Sequence, residues 1–203
     1  MKKSKKKKII IVIFLILVIA LLTLYLSTSG KGKNRVEEVK KIDNYGYILY
    51  NNSSPLYKKY FKELTNVLNE KELKEDKYAD LVAKLFVIDF YSLDNKITNK
   101  NIGGLQFIHP KISDNFRLKA EDTIYKRIEN NAFGKRKQEL PLVSKIISSK
   151  VESKAVDALN KQDVEGYVVT ITWEYDKNLG YQTKATLSLI HEEKKLYIVS
   201  IDK

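Results

Sequence analysis

The sequence has no cysteine, which excludes disulfides, thiolate chemistry and lipid attachment to a cysteine, and leaves stability to packing alone. Histidine is almost as scarce. His109 and His191 lie far apart without HxH or HExxH spacing, so a protein-only zinc site is not expected, and no cofactor motif is present. No serine stands with a histidine and a carboxylate at a recognisable spacing, which leaves nucleophilic catalysis without a signal. The only adjacent glycines, Gly103 and Gly104, lack the lysine-serine pair and the following helix that a phosphate cradle requires. Acidic residues are missing before Glu37, and that absence locates the charge of the chain.

Of the formal charge of +12, six units come from Lys2, Lys3, Lys5, Lys6, Lys7 and Lys8, and three from Lys31, Lys33 and Arg35. Residues 36–203 then carry only +3, with 28 basic side chains against 25 acidic ones. This near balance gives no electrostatic footprint for phosphate backbones, and nucleic acid is not an expected partner.

Between the two basic clusters lies an uncharged run from Ile9 to Leu26, IIIVIFLILVIALLTLYL. Eighteen helical residues span about 27 Å, close to the hydrocarbon thickness of a bilayer. Only Thr23, whose hydroxyl can bond back to the helix, and the interface-type Tyr25 interrupt the aliphatic side chains. The run is read as a membrane anchor, with the bilayer as its partner. It exceeds the 7–15 residues usual in a signal-peptide core, so an uncleaved anchor is favoured over cleavage near Ser27–Gly30. The lysines ahead of it place residues 1–8 in the cytoplasm and everything after it outside. Residues 27–35, STSGKGKNR, read as a flexible linker, and 36–203 as a single extracytoplasmic domain.

Within that domain, Val36–Ile42 reads as a helical turn or two, and residues 45–50 as a short strand. Ser54–Pro55 starts a helix to about Asn69, with Tyr57, Tyr60, Phe61, Leu64, Val67 and Leu68 on one face. Asp76 caps a second helix, whose Tyr78, Val82, Leu85, Phe86 and Leu93 share a face and whose end, LFVIDFYSL, is apolar almost all round. LQFIH suggests a short hairpin or strand, and Ser113 or Asp114 the cap of a third helix carrying Phe116, Ala120, Ile124 and Ile128 inward. From Pro141 the period becomes two. Four strands are predicted, over 142–153, 164–176, 181–192 and LYIVSID, joined as an antiparallel meander whose apolar face the helices cover. The fold class is α+β, three helices on a curved sheet of four long strands.

That order, with the apolar face of YVVTITWEY turned toward the helices, resembles the cone-shaped α+β fold of the nuclear transport factor two superfamily over residues 45–203. With one membrane span ahead of it, the arrangement is also similar to inner-membrane scaffold proteins of type IV secretion and of Gram-positive conjugation machines. YADLVAKLFVIDFYSLDNK and NIGGLQF look like a segment of small uncharacterised membrane proteins from low-GC Gram-positive bacteria. The resemblance implies an extracytoplasmic domain that self-associates or docks other envelope proteins. It brings no catalytic residue.

Asp89 stands out, because at 100° per residue it falls within about 60° of the apolar stripe of the second helix. A carboxylate there either clamps backbone or tyrosine groups through hydrogen bonds, or faces a cavity and acts as a general base. In the second case Asp89, Tyr78, Trp173 and His191 are the candidate lining residues, with His191 at a strand end on the rim. Two functions follow: an anchored interaction or scaffold module, or a ligand-binding or enzymatic pocket using Asp89. An open cone lined by Asp89 and Trp173 would favour the pocket.

Overall fold

The structure is a computed structural model that describes residues 15–21, 23 and 37–202. Residues 15–21 and 23 are helical, with Thr23 Oγ1 donating to the Ala20 carbonyl at 2.9 Å. The remainder of the apolar run 9–26 and the linker 27–35 lie outside the described residues, among which no helix is long and apolar enough to cross a membrane. The chain divides into two units. Val36–Asn131 with Lys135–Lys203 forms the one that contains every element named below, and Met1–Arg35 with Ala132–Gly134 forms the other.

The larger unit is α+β. Its first residues form strand β1, Glu38–Ile42, paired antiparallel with β2, Tyr47–Tyr50. The helical turns expected over 36–42 are therefore replaced, from 38 on, by a two-stranded hairpin. The turn closes on Gly46 at φ +69, a conformation glycine adopts without strain.

Helix α1, Pro55–Leu68, begins as its sequence dictates: the Ser54 hydroxyl accepts from the Tyr57 amide at 3.1 Å and Pro55 fills the first helical position. Helix α2, Glu75–Tyr91, has no side-chain cap. Lys74 sits at its N-cap, and the expected cap Asp76 lies inside the first turn beside Glu75, where the helix dipole favours carboxylates. Twelve of its seventeen residues are buried, because α1 covers one side and the sheet another. Even Asp80, on the outer side of the stripe, is 9 % exposed and bonds Lys84 at 2.8 Å.

LQFIH is not a strand. Leu105–Phe107 forms a 3₁₀ turn, and Ile108 makes one parallel bridge to Ile198. Helix α3, Pro110–Asp122, starts earlier than Ser113 or Asp114. Its cap is His109, whose Nδ1 accepts from the Lys111 amide at 3.2 Å, with Pro110 following in the first position. Ile124 and Ile128 pack beyond its end.

The sheet is the predicted meander, in the order β3 (Val143–Ala158), β4 (Lys161–Tyr175), β5 (Lys184–Glu192) and β6 (Lys195–Asp202), antiparallel throughout. Val169, Ile171 and Trp173 of β4 face the helices and are fully buried, with the Trp173 ring centroid 4.6 Å from that of Tyr91. The first two strands are longer than predicted. Residues 154–163 lie between the two predicted strands, yet most of them extend those strands and only Leu159 and Asn160 turn, both at positive φ as a tight hairpin requires. Because β5 pairs with β4 only over Gly166–Thr172, the β3–β4 hairpin extends past it. A small cluster of Val156, Ala158 and Ile190, with Val164, Val168 and Val199 against it, supports that extension on the face away from the helices.

Candidate functional site

Asp89 lies near the C-terminal end of α2, where the loop after Ser92 folds back over the helix. Its Oδ1 accepts from the Lys96 ammonium at 2.6 Å and its Oδ2 from the Gly104 amide at 2.7 Å. The Lys96 side chain is 5 % exposed. The loop comes this close because it carries two glycines. A Cβ on Gly103 would collide with the Asp89 carbonyl oxygen and lie 2.6 Å from Lys96 Nζ, while one on Gly104, at φ +74, would lie 2.7 Å from the Phe86 ring. Gly103 serves close approach of two backbones, and Gly104 close packing on the Phe86 ring.

Beside this junction is a cavity of about 260 Å³, open on one side, lined by Asp89, Lys96, Gly103, Gly104, Tyr50 and Gln106 among others. Two of its supports carry no sequence signal of their own. The Gln106 amide accepts from the Ile48 N–H at 2.6 Å and donates to the Ile48 carbonyl at 3.0 Å, acting as a strand partner for β2. Its nitrogen also lies 2.9 Å from the Tyr57 hydroxyl. Tyr125, fully buried, accepts from the Gly103 amide at 3.0 Å and donates to the Phe90 carbonyl at 2.6 Å. Burial first, and the Asp89 charge second, push the Tyr57 and Tyr125 hydroxyls well above the ordinary phenol range, so both stay protonated.

The other proposed lining residues lie elsewhere. Trp173 is 1 % exposed inside the core, with its ring against that of Tyr91. Tyr78 joins a buried network: Tyr47 donates to the Leu196 carbonyl at 2.8 Å, the Leu196 amide donates to the Tyr78 hydroxyl at 3.0 Å, and the two hydroxyls meet at 2.8 Å. The network ties the β1–β2 hairpin and α2 to the start of β6, and burial pushes both phenols up. His191 is partly exposed, with Nε2 2.9 Å from Glu75 Oε2 and its ring 6.0 Å from that of Tyr78. Asp89 and Lys96 thus line a cavity that includes none of Tyr78, Trp173 and His191.

Comparison with protein-family models, with curated proteins and with solved structures finds no match. The chemistry therefore has to be read from the residues. A general base needs a lone pair facing its substrate. Asp89 lines the cavity and each of its oxygens accepts one hydrogen bond from the protein, which leaves lone pairs on both; the arrangement also does what a clamp does, and fixes residues 94–104 to α2. Arg136 extends the clamp, donating to the carbonyls of Lys96, at 2.8 Å, and Asp94.

A second hollow, of about 440 Å³, lies between the β1–β2 and β5–β6 turns and is lined by Asn44, Tyr45, Glu192, Glu193, Lys195 and Tyr197 among others. Lys195 has its ammonium 4.6 Å and 4.8 Å from the ring centroids of Tyr47 and Tyr197. Burial, helped by the Lys41 charge, lowers it to about 8, while the two ring faces favour its charged form. On the far side of Tyr197, buried His109 holds Nε2 3.3 Å from Glu192. Since Nδ1 accepts the Lys111 amide, Nε2 carries the proton and donates. These contacts fasten the start of α3 to the β5–β6 turn. Among the described residues no three histidine or carboxylate side chains gather as a metal site would need.

Proposed function

We propose that the chain is a single-pass membrane protein whose extracytoplasmic domain is an interaction or scaffold module, a subunit of a cell-envelope assembly of the kind used in secretion or conjugation. The anchor is the apolar run 9–26, and the lysines ahead of it keep the N-terminus in the cytoplasm. One observation carries the reading of the domain. Strand β3 is sixteen residues long and lies at the edge of the sheet, pairing among the described residues with β4 alone, and the hairpin it begins continues past β5. Such an edge presents a row of backbone donors and acceptors to whatever comes beside it. The opposite edge, β6, is by contrast met by Ile108 and by the His109 amide, which donates to the Ile198 carbonyl at 3.0 Å.

The pocket alternative would have a ligand approach Asp89 from the cavity, where Lys96 already neutralises the carboxylate and each oxygen already accepts one hydrogen bond. The interaction reading makes no demand on Asp89. Topology is the first test. Because the chain lacks cysteine, single thiols introduced by Ser4→Cys and Ser200→Cys report position without background. A membrane-impermeant maleimide added to intact cells should label the second and spare the first. Equal protection of both, or labelling of Ser4→Cys alone, would remove the extracytoplasmic module from consideration.

A further inference from the structure

Backbone groups on the open side of β3 have no partner among the described residues: from 144 to 158 the strand's backbone bonds run to β4 only. Natural edges of this length are protected by bulges and charges. Here the bulges lie at the ends, between Val143 and Lys145, Ile146 and Ser148, and Val156 and Ala158, leaving Ser148–Val156 in regular register with β4. The regular stretch begins SSKVESK, and its charges are of both signs.

We infer that two copies of the chain pair antiparallel through β3, about a two-fold axis at Val151. The inference rests on the reading of the domain as an interaction module. A two-fold axis perpendicular to the sheet keeps inward faces together, so it must pass through a residue and not between two. An axis at Lys150 or Glu152 sets like charges against each other, which is unfavourable across strands. At Val151 every opposition is compatible. Lys150 of each copy faces Glu152 of the other, Ser149 faces Ser153, and the two Val151 side chains meet on the helix side of the sheet, where Val151 already packs against the core.

A separate observation favours the same register. The Ser149 hydroxyl is buried yet has no hydrogen-bond partner among the described residues, an arrangement that costs free energy unless something supplies one. Ser153 is exposed, and in the inferred pairing the Ser153 hydroxyl of a second copy stands directly opposite Ser149. An axis at Ser153 is the nearest rival, since it too pairs Lys154 with Glu152. It sets Lys150 against the buried Val156, however, and so leaves that ammonium with no carboxylate opposite it.

The test uses the full-length chain in its membrane, where each introduced thiol is the only one. Opposed residues of an antiparallel pair have Cα atoms about 4.5–5.5 Å apart, within disulfide range. Under mild oxidation Val151→Cys should form covalent dimers at least about tenfold faster than Leu179→Cys, an exposed control in the β4–β5 turn, and faster than Ser153→Cys. Co-expressed Ser149→Cys and Ser153→Cys should cross-link to each other more than either does to itself, which covers a Val151→Cys variant that fails to fold. Adding Glu152→Lys to Val151→Cys should slow dimer formation about tenfold, and further adding Lys150→Glu should restore it to within about twofold. Dimers through Ser153→Cys in preference to Val151→Cys overturn the register. Equal rates at 151 and 179, or indifference to Glu152→Lys, overturn pairing through β3. If an amine-reactive cross-linker still captures complexes in those cases, the interaction module stands and only the strand inference falls; if it captures none, both fall.

Discussion

The contact between Asp89 and Lys96 sets a stability cost that can be worked from the structure. At 2.6 Å the gross attraction is about 6 kcal/mol for an effective dielectric near 20, and desolvation of the Lys96 ammonium takes back a large part of it. Asp89→Asn removes the charge and leaves Lys96, 5 % exposed and with no other carboxylate within bonding distance among the described residues, as an uncompensated buried cation. Breaking a buried pair in this way costs about 3–5 kcal/mol, and the open side of the cavity, which admits water, points to the lower end, about 3 kcal/mol. In a domain of this size that lowers the midpoint of thermal unfolding by about 6–12 °C. Lys96→Met should cost less, about 1–2 kcal/mol, since Asp89 keeps the Gly104 amide and access to the cavity. The double variant should cost no more than Asp89→Asn alone, a coupling of about 1–2 kcal/mol. Fluorescence of Trp173, the one tryptophan in the chain and buried against Tyr91, reports unfolding of the full-length protein in detergent. Asp89→Asn within about 0.5 kcal/mol of the parent, or strict additivity of the two substitutions, would refute the clamp.

Three further outcomes follow from the packing. Gly103→Ala and Gly104→Ala should each lose about 2 kcal/mol or more through backbone and ring collisions, whereas Gly180→Ala, at φ +75 but with nothing within 4 Å, should lose about 1 kcal/mol; equal losses in urea melts at all three sites would contradict the close approach. Tyr47, Tyr57 and Tyr125 hold their protons well above pH 10 when folded, so the unfolded chain releases protons first and stability falls as pH climbs past about 10; absorbance at 295 nm should show part of the tyrosines ionising freely and the rest only as the Trp173 signal reports unfolding. Lys195 has the opposite sign: its lowered folded value makes its charged form a burden below about 8 that is relieved as pH rises toward the unfolded value. Relative to the parent, Lys195→Met should therefore lose an advantage on the order of 1 kcal/mol between pH 7.5 and 10, a figure already reduced for partial exposure, and a pH-independent difference in paired melts would count against it.

The parts of the fold that local chemistry decides were legible in the sequence. Ser54–Pro55 starts a helix because a hydroxyl cap and a fixed φ act within one turn, and YVVTITWEY is a strand because its alternation is uninterrupted. Where two local signals compete, the tertiary contact wins. Ser113 and Asp114 are better caps than His109 by residue type, yet His109 is held by Glu192 and by the Ile198 carbonyl, and the helix starts there. Residues 38–42 have too little apolar pattern to declare a strand, and they become one because β2 lies beside them. The β3–β4 hairpin was hidden by its polarity, since Lys154, Asp157, Lys161 and Asp163 lie beyond the layer of helices and remain in water. Asp89 was conspicuous as a charge on an apolar stripe. Its partners Lys96, Gly104 and the nearby Gln106 and Tyr125 were not, because only the folded loop brings them to it.

The size of the native assembly, and its response to edge and cavity substitutions, tests the central claim most directly. The full-length chain is extracted with its surrounding lipid and its mass measured without denaturation. The parent should be larger than a monomer. Ser148→Lys with Glu152→Lys, both at exposed positions of β3, should reduce it to monomers while circular dichroism and the Trp173 signal stay unchanged, whereas Asp89→Asn, below its melting point, should keep the parent mass. A monomeric parent, or an assembly that survives the lysine edge and dissociates with Asp89→Asn, would contradict a domain that works through its open strand.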